Sequence, residues 1–317
     1  NQVVGTMDMT VNGGVTDTAV SKITGTFSGS DSYWFGDEAS SENTSADGRK
    51  NAKGVLDLTF TNGAQWSYLA VAGEKTIDKR ISSITLRDGG IINLFDDNLE
   101  AFWDEIGLLP LLKEENYDVE HNYVRIGDLK GSDGIFRLDL NSDDRTQSDM
   151  VFIESSNEPG RHWIEPYRPS QLVSVSADNT LTFALTQKEA NDVTFADKIN
   201  IYGETLYDYE LSIDHETISS EDLAELEDQI KSNYTDFEDF KVSDYEDGTR
   251  WFINRVTVSE SAATVGVRNA GWAAYDAVMQ MDRRDRRLRE SAFANDASND
   301  GLWVRVQYGR LGADDAY

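Results

Sequence analysis

Acidic side chains supply the first candidates for chemistry, because paired carboxylates can act as general acid and base. The stretch FDDNLEAFWDEIG, residues 95–107, places Glu100 and Asp104 four residues apart, a spacing that would put both on one helix face. Phe102 and Trp103 in the same stretch are typical of the buried side of a short amphipathic helix. We therefore favour a structural helix over a catalytic pair.

A second acidic stretch resembles a calcium-binding loop. In DLNSDDRTQSDM, Asp139, Asn141 and Asp143 stand at alternate positions, as oxygen ligands of Ca²⁺ do. The loop lacks the glycine at its sixth place and the glutamate at its twelfth, where Met150 stands. We expect a polar turn between two strands, with both aspartates facing water.

Other catalytic patterns are missing from the sequence. His121, His162 and His215 lie far apart, and cysteine is absent. No nucleophile elbow, dinucleotide-binding fingerprint or phosphate-binding loop occurs. We therefore predict no catalytic residue, no cofactor and no metal site in this chain.

The charge balance argues against nucleic acid as a partner. The 317 residues include 58 acidic and 29 basic side chains, a formal net charge of −29, whereas phosphate binding needs a basic surface. A local basic cluster alternates with Asp282 and Asp285 and stands before the alternating strand at 302–308, which argues against a nucleic-acid site. The cluster comprises Arg283, Arg284, Arg286, Arg287 and Arg289.

Alternating apolar residues predict many short strands with one buried face. The stretches VLDLTF, FRLDLN, LTFALT and YDYELSI are separated by turn signals such as TNGA, RDGG and GSDG. The runs recur at roughly 20 to 30 residues, a spacing typical of solenoid coils, although a sandwich remains the alternative on periodicity alone. We expect one continuous interior lined by Leu56, Leu58, Phe60, Phe136, Leu138, Leu140, Leu181, Phe183 and Leu185.

Two segments interrupt the strand pattern. Residues 214–247 contain 13 acidic and 2 basic residues, and within them SSEDLAELEDQIKS predicts a helix capped by Ser219 or Ser220. Because like charges repel, we expect this insert to be mobile or loosely docked. Residues 270–291 are rich in helix formers and predict a second helix with a basic end.

The end of the chain resembles a junction found in autotransporters, the type V secretion family. A helix with an arginine cluster, a small polar spacer and DGLWVRVQYGR resemble the linker helix and first strand of an outer-membrane barrel. In that strand Leu302 and Val304 would face lipid, while Arg305 and Gln307 would face the polar lumen. The resemblance implies that Arg283, Arg284, Arg286 and Arg287 contact the barrel lumen.

Residues 50–317 also resemble the C-terminal part of an autotransporter passenger, the pertactin-like or autochaperone module. The matching stretches, in the family's order, are VLDLTFTNGAQWSYL, ISSITLRDGGIINL, GIFRLDLNSDDRTQSDMVFIE, LTFALT, ETLYDYELSI and RWFINRV. The acidic insert is longer than the family pattern, and nearly all of the barrel is missing. The resemblance implies a right-handed, single-stranded parallel β-helix with a C-terminal helical linker.

The resemblance implies a domain organisation. A passenger β-helix would cover 1–258, with an autochaperone-like region over about 126–258 that includes the acidic insert; a linker would cover 259–295, and the start of the barrel 296–317. We expect the folding core of the autochaperone-like region to include Phe136, Leu138, Leu140, Tyr207, Tyr209 and Trp251.

The implied function is non-catalytic. The chain would be a β-helical stalk that supports secretion and surface display of an adhesin on a Gram-negative cell, either held at the outer membrane or secreted. Its partners would be its own barrel and an unknown surface ligand, and we expect a monomer. Three alternatives remain: a carbohydrate-active β-helix enzyme, a stalk that carries an upstream protease, and an acidic insert that binds Ca²⁺ or a basic partner. Acids clustered with a lysine or arginine on one concave sheet face would favour the enzyme.

Overall fold

The structure is a computed structural model, and it describes residues 2–4, 7–8, 22–36, 38–39, 55–67, 80–94, 123–145, 148–201, 206–233, 240–261, 264–275 and 277–279. The chain divides into two compact units, Asn1–Ser261 and Ala262–Tyr317. The first unit contains all the strands of the described residues.

Short strands dominate the first unit, as the alternating sequence pattern predicts. Its first ten strands are β1 (Gln2–Val4), β2 (Met7–Asp8), β3 (Lys22–Ser28), β4 (Tyr33–Phe35), β5 (Glu38–Ala39), β6 (Val55–Thr61), β7 (Gln65–Ser67), β8 (Arg80–Ile81), β9 (Ser83–Arg87) and β10 (Ile91–Asn93). The other nine are β11 (Tyr123–Gly131), β12 (Ile135–Leu138), β13 (Met150–Ser155), β14 (Gly160–Pro166), β15 (Leu181–Thr186), β16 (Val193–Phe195), β17 (Lys198–Ile201), β18 (Tyr207–Thr217) and β19 (Thr249–Glu260).

The strands form two main sheets that are largely parallel. The seven-stranded sheet has the order β1-β4-β7-β10-β12-β14-β16, with every pair parallel. The ten-stranded sheet runs β3-β6-β9-β11-β13-β15 in parallel, with the short β8 beside β11, and ends in the antiparallel strands β19, β18 and β17. Strands β2 and β5 form a separate parallel pair. The prediction of a mostly β fold is confirmed.

Successive strands alternate between the two sheets from β9 to β17. Tight turns join the two sheets at the predicted Asn-Gly and Asp-Gly signals. Asn62, Asp88 and Asp133 adopt positive φ values of 56°, 50° and 61°, as small polar residues in such turns can. The turns stack on one another, since Asn62 N donates to Asp88 O at 3.0 Å and Gly89 N donates to Asp133 O at 2.9 Å.

One glycine in these turns is required by a close approach of two backbone segments. A Cβ added at Gly90 would lie 2.1 Å from the carbonyl oxygen of Phe60. No side chain fits at that distance, so the stacking of the turns depends on glycine here.

The main hydrophobic core lies between the sheets and is built from stacked rows of like residues. Phe27 stacks on its register partner Phe60 with ring centres 4.9 Å apart, and Trp34 stacks on Trp66 at 5.8 Å. Eight of the nine residues predicted to share one interior belong to this core: Leu56, Leu58, Phe60, Phe136, Leu138, Leu140, Leu181 and Phe183.

The ninth residue, Leu185, is an exception. A register shift between Thr182 and Ala184 interrupts the alternation of β15, so Phe183 and Ala184 both belong to the main core. A bulge of this kind reverses the faces of all residues that follow it. Leu185 therefore joins a second apolar cluster instead of the main interior.

The second apolar cluster contradicts the expectation that the acidic insert is loosely docked. Helix α1 (Ser220–Asn233) buries Leu223, Leu226 and Ile230, which are 7, 5 and 0% exposed, in one cluster with Phe152 of β13. A short 3₁₀ turn, Val242–Tyr245, joins the same cluster. On the same helix Glu221 and Asp228 are exposed, so these two charges do not oppose the packing of the apolar stripe.

The predicted cap of α1 is confirmed at Ser219. Its hydroxyl accepts a hydrogen bond from the Asp222 backbone at 3.2 Å, and the Asp222 carboxylate accepts one from the Ser219 backbone at 3.1 Å. This reciprocal pair satisfies two donors that the first helical turn would otherwise leave free.

The described part of the second unit is helical over 264–275 and 277–279. This helix begins several residues before the predicted start at 270. Trp272 and Tyr275 are 52 and 58% exposed on it. No helix in the described ranges is both long and apolar enough to cross a lipid bilayer.

Candidate functional site

A polar cluster on the outer face of the ten-stranded sheet is the strongest candidate site. It comprises Lys22 of β3, Asp57 of β6, Ser83 of β9, and Asp128 and Lys130 of β11, and we call it the outer-face cluster. These side chains alternate with core residues such as Leu58 and Leu129, which explains why they face away from the interior. Parallel register then brings the strands together, with Asp57 directly opposite Ser83.

Asp57 lies at the centre of the outer-face cluster. Lys22 Nζ lies 2.7 Å from Asp57 Oδ2, and Ser83 Oγ donates to Asp57 Oδ1 at 3.0 Å. Lys130 Nζ donates to Ser83 Oγ at 2.8 Å and lies 3.4 Å from Asp57 Oδ1. The cluster is thus a connected set of charge-assisted hydrogen bonds.

Asp128 extends the outer-face cluster towards the next strand. Its Oδ2 lies 3.3 Å from Lys130 Nζ, and both its oxygens lie 3.2 Å from Nδ2 of Asn157. Two carboxylates and two ammonium groups therefore meet on a single sheet face. Acids beside a lysine on one sheet face are part of the arrangement that would favour a carbohydrate-active enzyme, which also requires that face to be concave.

The electrostatics of the outer-face cluster do not suit proton transfer at neutral pH. Partial burial alone would raise the pKa of Asp57, but the hydrogen bonds from Lys22 and Ser83 and the charge of Lys130 hold it below its usual value. Burial alone would lower the pKa of Lys130, but Asp57 and Asp128 raise it. A general base or acid needs a pKa close to the working pH, and neither shift moves in that direction.

The stretch that resembles a calcium-binding loop makes hydrogen bonds within itself. The Asn141 side-chain oxygen accepts hydrogen bonds from the backbones of Asp143 and Asp144 at 3.0 and 3.1 Å. The Asn141 backbone in turn exchanges bonds with Ser148. Among the described residues no group of three or more acidic or histidine side chains is placed to hold a metal ion.

Asp139 differs from the expectation that it faces water. Its Oδ1 is buried and has no hydrogen-bond partner among the described residues, and burial raises the pKa of its carboxyl group. The nearby Asp149 is fully buried, and its Oδ2 accepts a hydrogen bond from the Asp139 backbone at 2.6 Å. The hydrogen bond between these two residues stabilises the segment that follows β12.

The predicted folding-core residues do not all lie in the core. Phe136, Leu138, Leu140 and Trp251 belong to the main core, and Tyr209 is 6% exposed. Tyr207, by contrast, is 44% exposed. It is the first residue of β18, where the strand extends beyond the core, so alternation alone placed it wrongly.

Several predicted site residues lie outside the described residues. These are the carboxylate pair Glu100 and Asp104, the histidine His121, and the linker residues Arg283, Arg284, Arg286 and Arg287. Their proposed roles stay predictions.

Sequence reasoning missed the outer-face cluster. The alternation in VLDLTF places Asp57 on the solvent face, but its neighbours come from strands 26 and 73 residues away, at Ser83 and Lys130. The available signal was the run GDLKG, which places Asp128 and Lys130 on one face. Pairing them with Asp57 requires the register of three strands, which a single sequence does not provide.

No protein-family model, curated protein or solved structure matches this chain. Conclusions about its function therefore depend on its own residues and geometry.

Proposed function

We propose that the two parallel sheets are sides of a right-handed, single-stranded parallel β-helix. The observation that carries the proposal is the alternation of successive strands between the sheets, with parallel pairing of each strand to the one a coil earlier. A chain that returns repeatedly to the same sheet in the same direction winds as a solenoid. The right hand follows from the rule that parallel crossovers have this hand in about 98% of cases.

We further propose that this β-helix is the C-terminal part of an autotransporter passenger, a non-catalytic stalk that supports surface display of an adhesin. Stacked turns and rows of like residues support the role of a stalk, because each coil buries its inner face on its neighbours. The antiparallel strands β17–β19 end the parallel order of the ten-stranded sheet. A terminal coil of different pairing is what a solenoid needs as a cap.

The dense aromatic packing near this end supports a role in starting the folding of the passenger. Phe195 contacts Phe136, Phe183 and Trp251 with ring centres 5.5, 5.1 and 5.3 Å apart. A block of this kind could fold first outside the cell and prevent the chain from sliding back. The helix with the arginine cluster would then follow it as the linker into the barrel.

Surface display in cells that express the intact protein tests this function. We expect Phe136→Ala to reduce the surface-labelled fraction of the passenger strongly, because it removes a fully buried ring from the proposed folding block. Tyr207→Ala, at an exposed aromatic of the same block, is the matched control and should leave display unchanged. Equal display by both variants, or recovery of the wild-type chain in the cytosol, would contradict the proposal.

A carbohydrate-active enzyme is the second candidate, and the outer-face cluster is the observation that favours it. Asp57, Asp128 and Lys130 converge on one sheet face, and they are able to bind sugar hydroxyls. Incubation of the chain with neutral and acidic polysaccharides, followed by measurement of new reducing ends, tests this candidate. Turnover that disappears in both Asp57→Asn and Lys130→Met would replace the stalk proposal with an enzyme.

A further inference from the structure

Among the described tryptophans of the first unit, one is exposed and three are buried. Trp34, Trp66 and Trp251 are 0, 2 and 5% exposed, whereas Trp163 on β14 is 39% exposed. The guanidinium carbon of Arg161 lies 5.6 Å from the centre of the Trp163 ring. Arg161 also lies 3.8 Å from the Asp197 carboxylate. An indole ring on a surface offers a flat apolar platform.

Trp163 lines an open groove of about 480 Å³ between β14 and β17. Its apolar lining includes Ile135 and Ile201, and its polar lining includes Asp133, Glu165 and Asn200. A volume of this size fits one or two sugar rings, within the range of known ligand sites. We call this feature the Trp163 groove.

The Trp163 groove opens where β14 loses its neighbouring strand. The pairing of β16 with β14 ends at His162, after which the chain turns away into β17. Trp163 N donates to Gly134 O on the β12 side, so the N–H and C=O of Ile164 face the opposite side. In the described part of the chain, no strand pairs with β14 on this second side after His162.

We propose that the Trp163 groove binds a neutral saccharide. A pyranose ring has an apolar C–H face that stacks on an indole, and a rim of hydroxyls that donate and accept hydrogen bonds. Asn200 offers both donors and an acceptor, and the Glu165 carboxylate, held 3.0 Å from Arg137, offers acceptors. The groove therefore supplies both kinds of contact that a sugar needs.

The charge around the Trp163 groove argues for an uncharged sugar. Asp133, Glu165 and Asp197 outnumber Arg137 and Arg161, and both arginines already lie beside a carboxylate. A uronate or other acidic sugar would meet repulsion from this rim and from a chain of net charge −29. The proposed ligand is thus a neutral hexose or N-acetylhexosamine chain.

This inference goes beyond the proposed stalk function and can fail separately from it. Binding at the Trp163 groove would make this part of the stalk adhesive in its own right. Loss of saccharide binding should leave surface display unchanged, and loss of display need not alter binding by the purified chain.

Titration followed by NMR tests the Trp163 groove directly. The indole N–H resonance of Trp163 can be assigned by its disappearance in Trp163→Phe. Short oligosaccharides of glucose, galactose, mannose or N-acetylglucosamine, added at millimolar concentration, should shift this resonance saturably for at least one sugar. Trp163→Ala should weaken that binding by about tenfold or more, as loss of an aromatic residue at the centre of an interface does.

Two further variants control for indirect effects. Trp272→Ala removes an exposed tryptophan of the second unit and should leave the affinity unchanged. Asn200→Ala should weaken binding severalfold without shifting the resonances of the buried tryptophans, which report an intact core.

Three results would overturn the proposal. The Trp163 resonance could fail to move with every neutral oligosaccharide, or an oligouronate could bind more tightly than all of them. The resonance could also move only with an extended peptide that pairs with the open edge of β14, in which case the occupant is a strand and not a sugar.

Discussion

At the scale of one residue, His162 shows what happens to a titratable group that is buried in the stacked core. It is fully buried, its ring lies 5.7 Å from that of Phe136, and neither ring nitrogen has a hydrogen-bond partner among the described residues. A Cβ added at Gly134 or Gly160 would lie 2.8 or 2.9 Å from this imidazole, so the glycines make room for it. Burial lowers the pKa of His162 to about 4.

This lowered pKa predicts a loss of stability in mild acid. Because the folded chain keeps His162 neutral, only the unfolded chain binds a proton as pH falls from about 6.5 to about 4. His162 should therefore remove about 3 kcal/mol of the free energy of unfolding across that window. Denaturant unfolding of wild type and His162→Phe at several pH values measures it as the difference between the two curves.

The exposed His215 provides the matched control for that experiment. It stacks on Trp251 at 4.6 Å but lies on the surface, so its replacement controls for the loss of an imidazole outside the core. An identical acid response in His162→Phe and wild type would show that the buried imidazole does not govern it.

Phe136 and Tyr207 test which of the predicted folding-core residues contribute to stability. Phe136→Ala should lower the free energy of unfolding by about 3 to 5 kcal/mol, because the ring is fully buried between the sheets. Tyr207→Ala should cost less than about 1 kcal/mol, because its ring is 44% exposed. Chemical denaturation measures both, and equal losses would contradict the burial pattern.

At the scale of elements, helix α1 shows why charge counting misjudged the acidic insert. The sequence correctly predicts the helix, its Ser219 cap and its stripe of Leu223, Leu226 and Ile230. It does not reveal that Phe152 and Leu185 offer an apolar patch on the outer face of the sheet. Leu185 reaches that patch only because of a bulge, and neither the bulge nor the patch is marked by periodicity.

Substitution within α1 tests its docking. Ile230→Ala should lower the free energy of unfolding by about 2 to 4 kcal/mol, because the side chain is fully buried in the second cluster. Asp228→Ala lies on the exposed face of the same helix and should change stability by no more than about 0.5 kcal/mol. If both variants changed the free energy of unfolding by similarly small amounts, the insert would be loosely docked, as the charge pattern predicted.

The turns between the sheets were the most predictable elements of the fold. Asn62 and Asp88 occupy positive φ as their Asn-Gly and Asp-Gly signals indicate, because these residues tolerate that backbone region. Register between distant strands was not predictable, and the outer-face cluster depends on it. The sequence therefore indicated which residues face outward but not which of them meet.

At the scale of the whole molecule, stability should differ along the chain. In the proposed solenoid each coil is stabilised by its neighbours, so resistance to unfolding would be roughly a sum of local terms. The aromatic contacts among Phe136, Phe183, Phe195 and Trp251 lie between residues 126 and 258. Limited proteolysis with mass mapping should find this block the most resistant. If the first fifty residues survived while the block at 126–258 was digested, stability would decrease along the chain instead of increasing.

Disulfide mapping most directly tests the central claim, that successive coils stack in parallel. The chain has no cysteine, and Thr26, Thr59 and Thr85 are register partners on the adjacent strands β3, β6 and β9. Paired Cα atoms of neighbouring strands lie about 5 Å apart, within disulfide range, whereas strands two apart lie beyond it.

Three double-cysteine variants, oxidised and analysed by peptide mapping, carry the test. We predict that Thr26→Cys with Thr59→Cys, and Thr59→Cys with Thr85→Cys, each form a disulfide within the chain. Thr26→Cys with Thr85→Cys should not. A disulfide in the third variant, with none in the first two, would contradict the stacking of coils in sequence order.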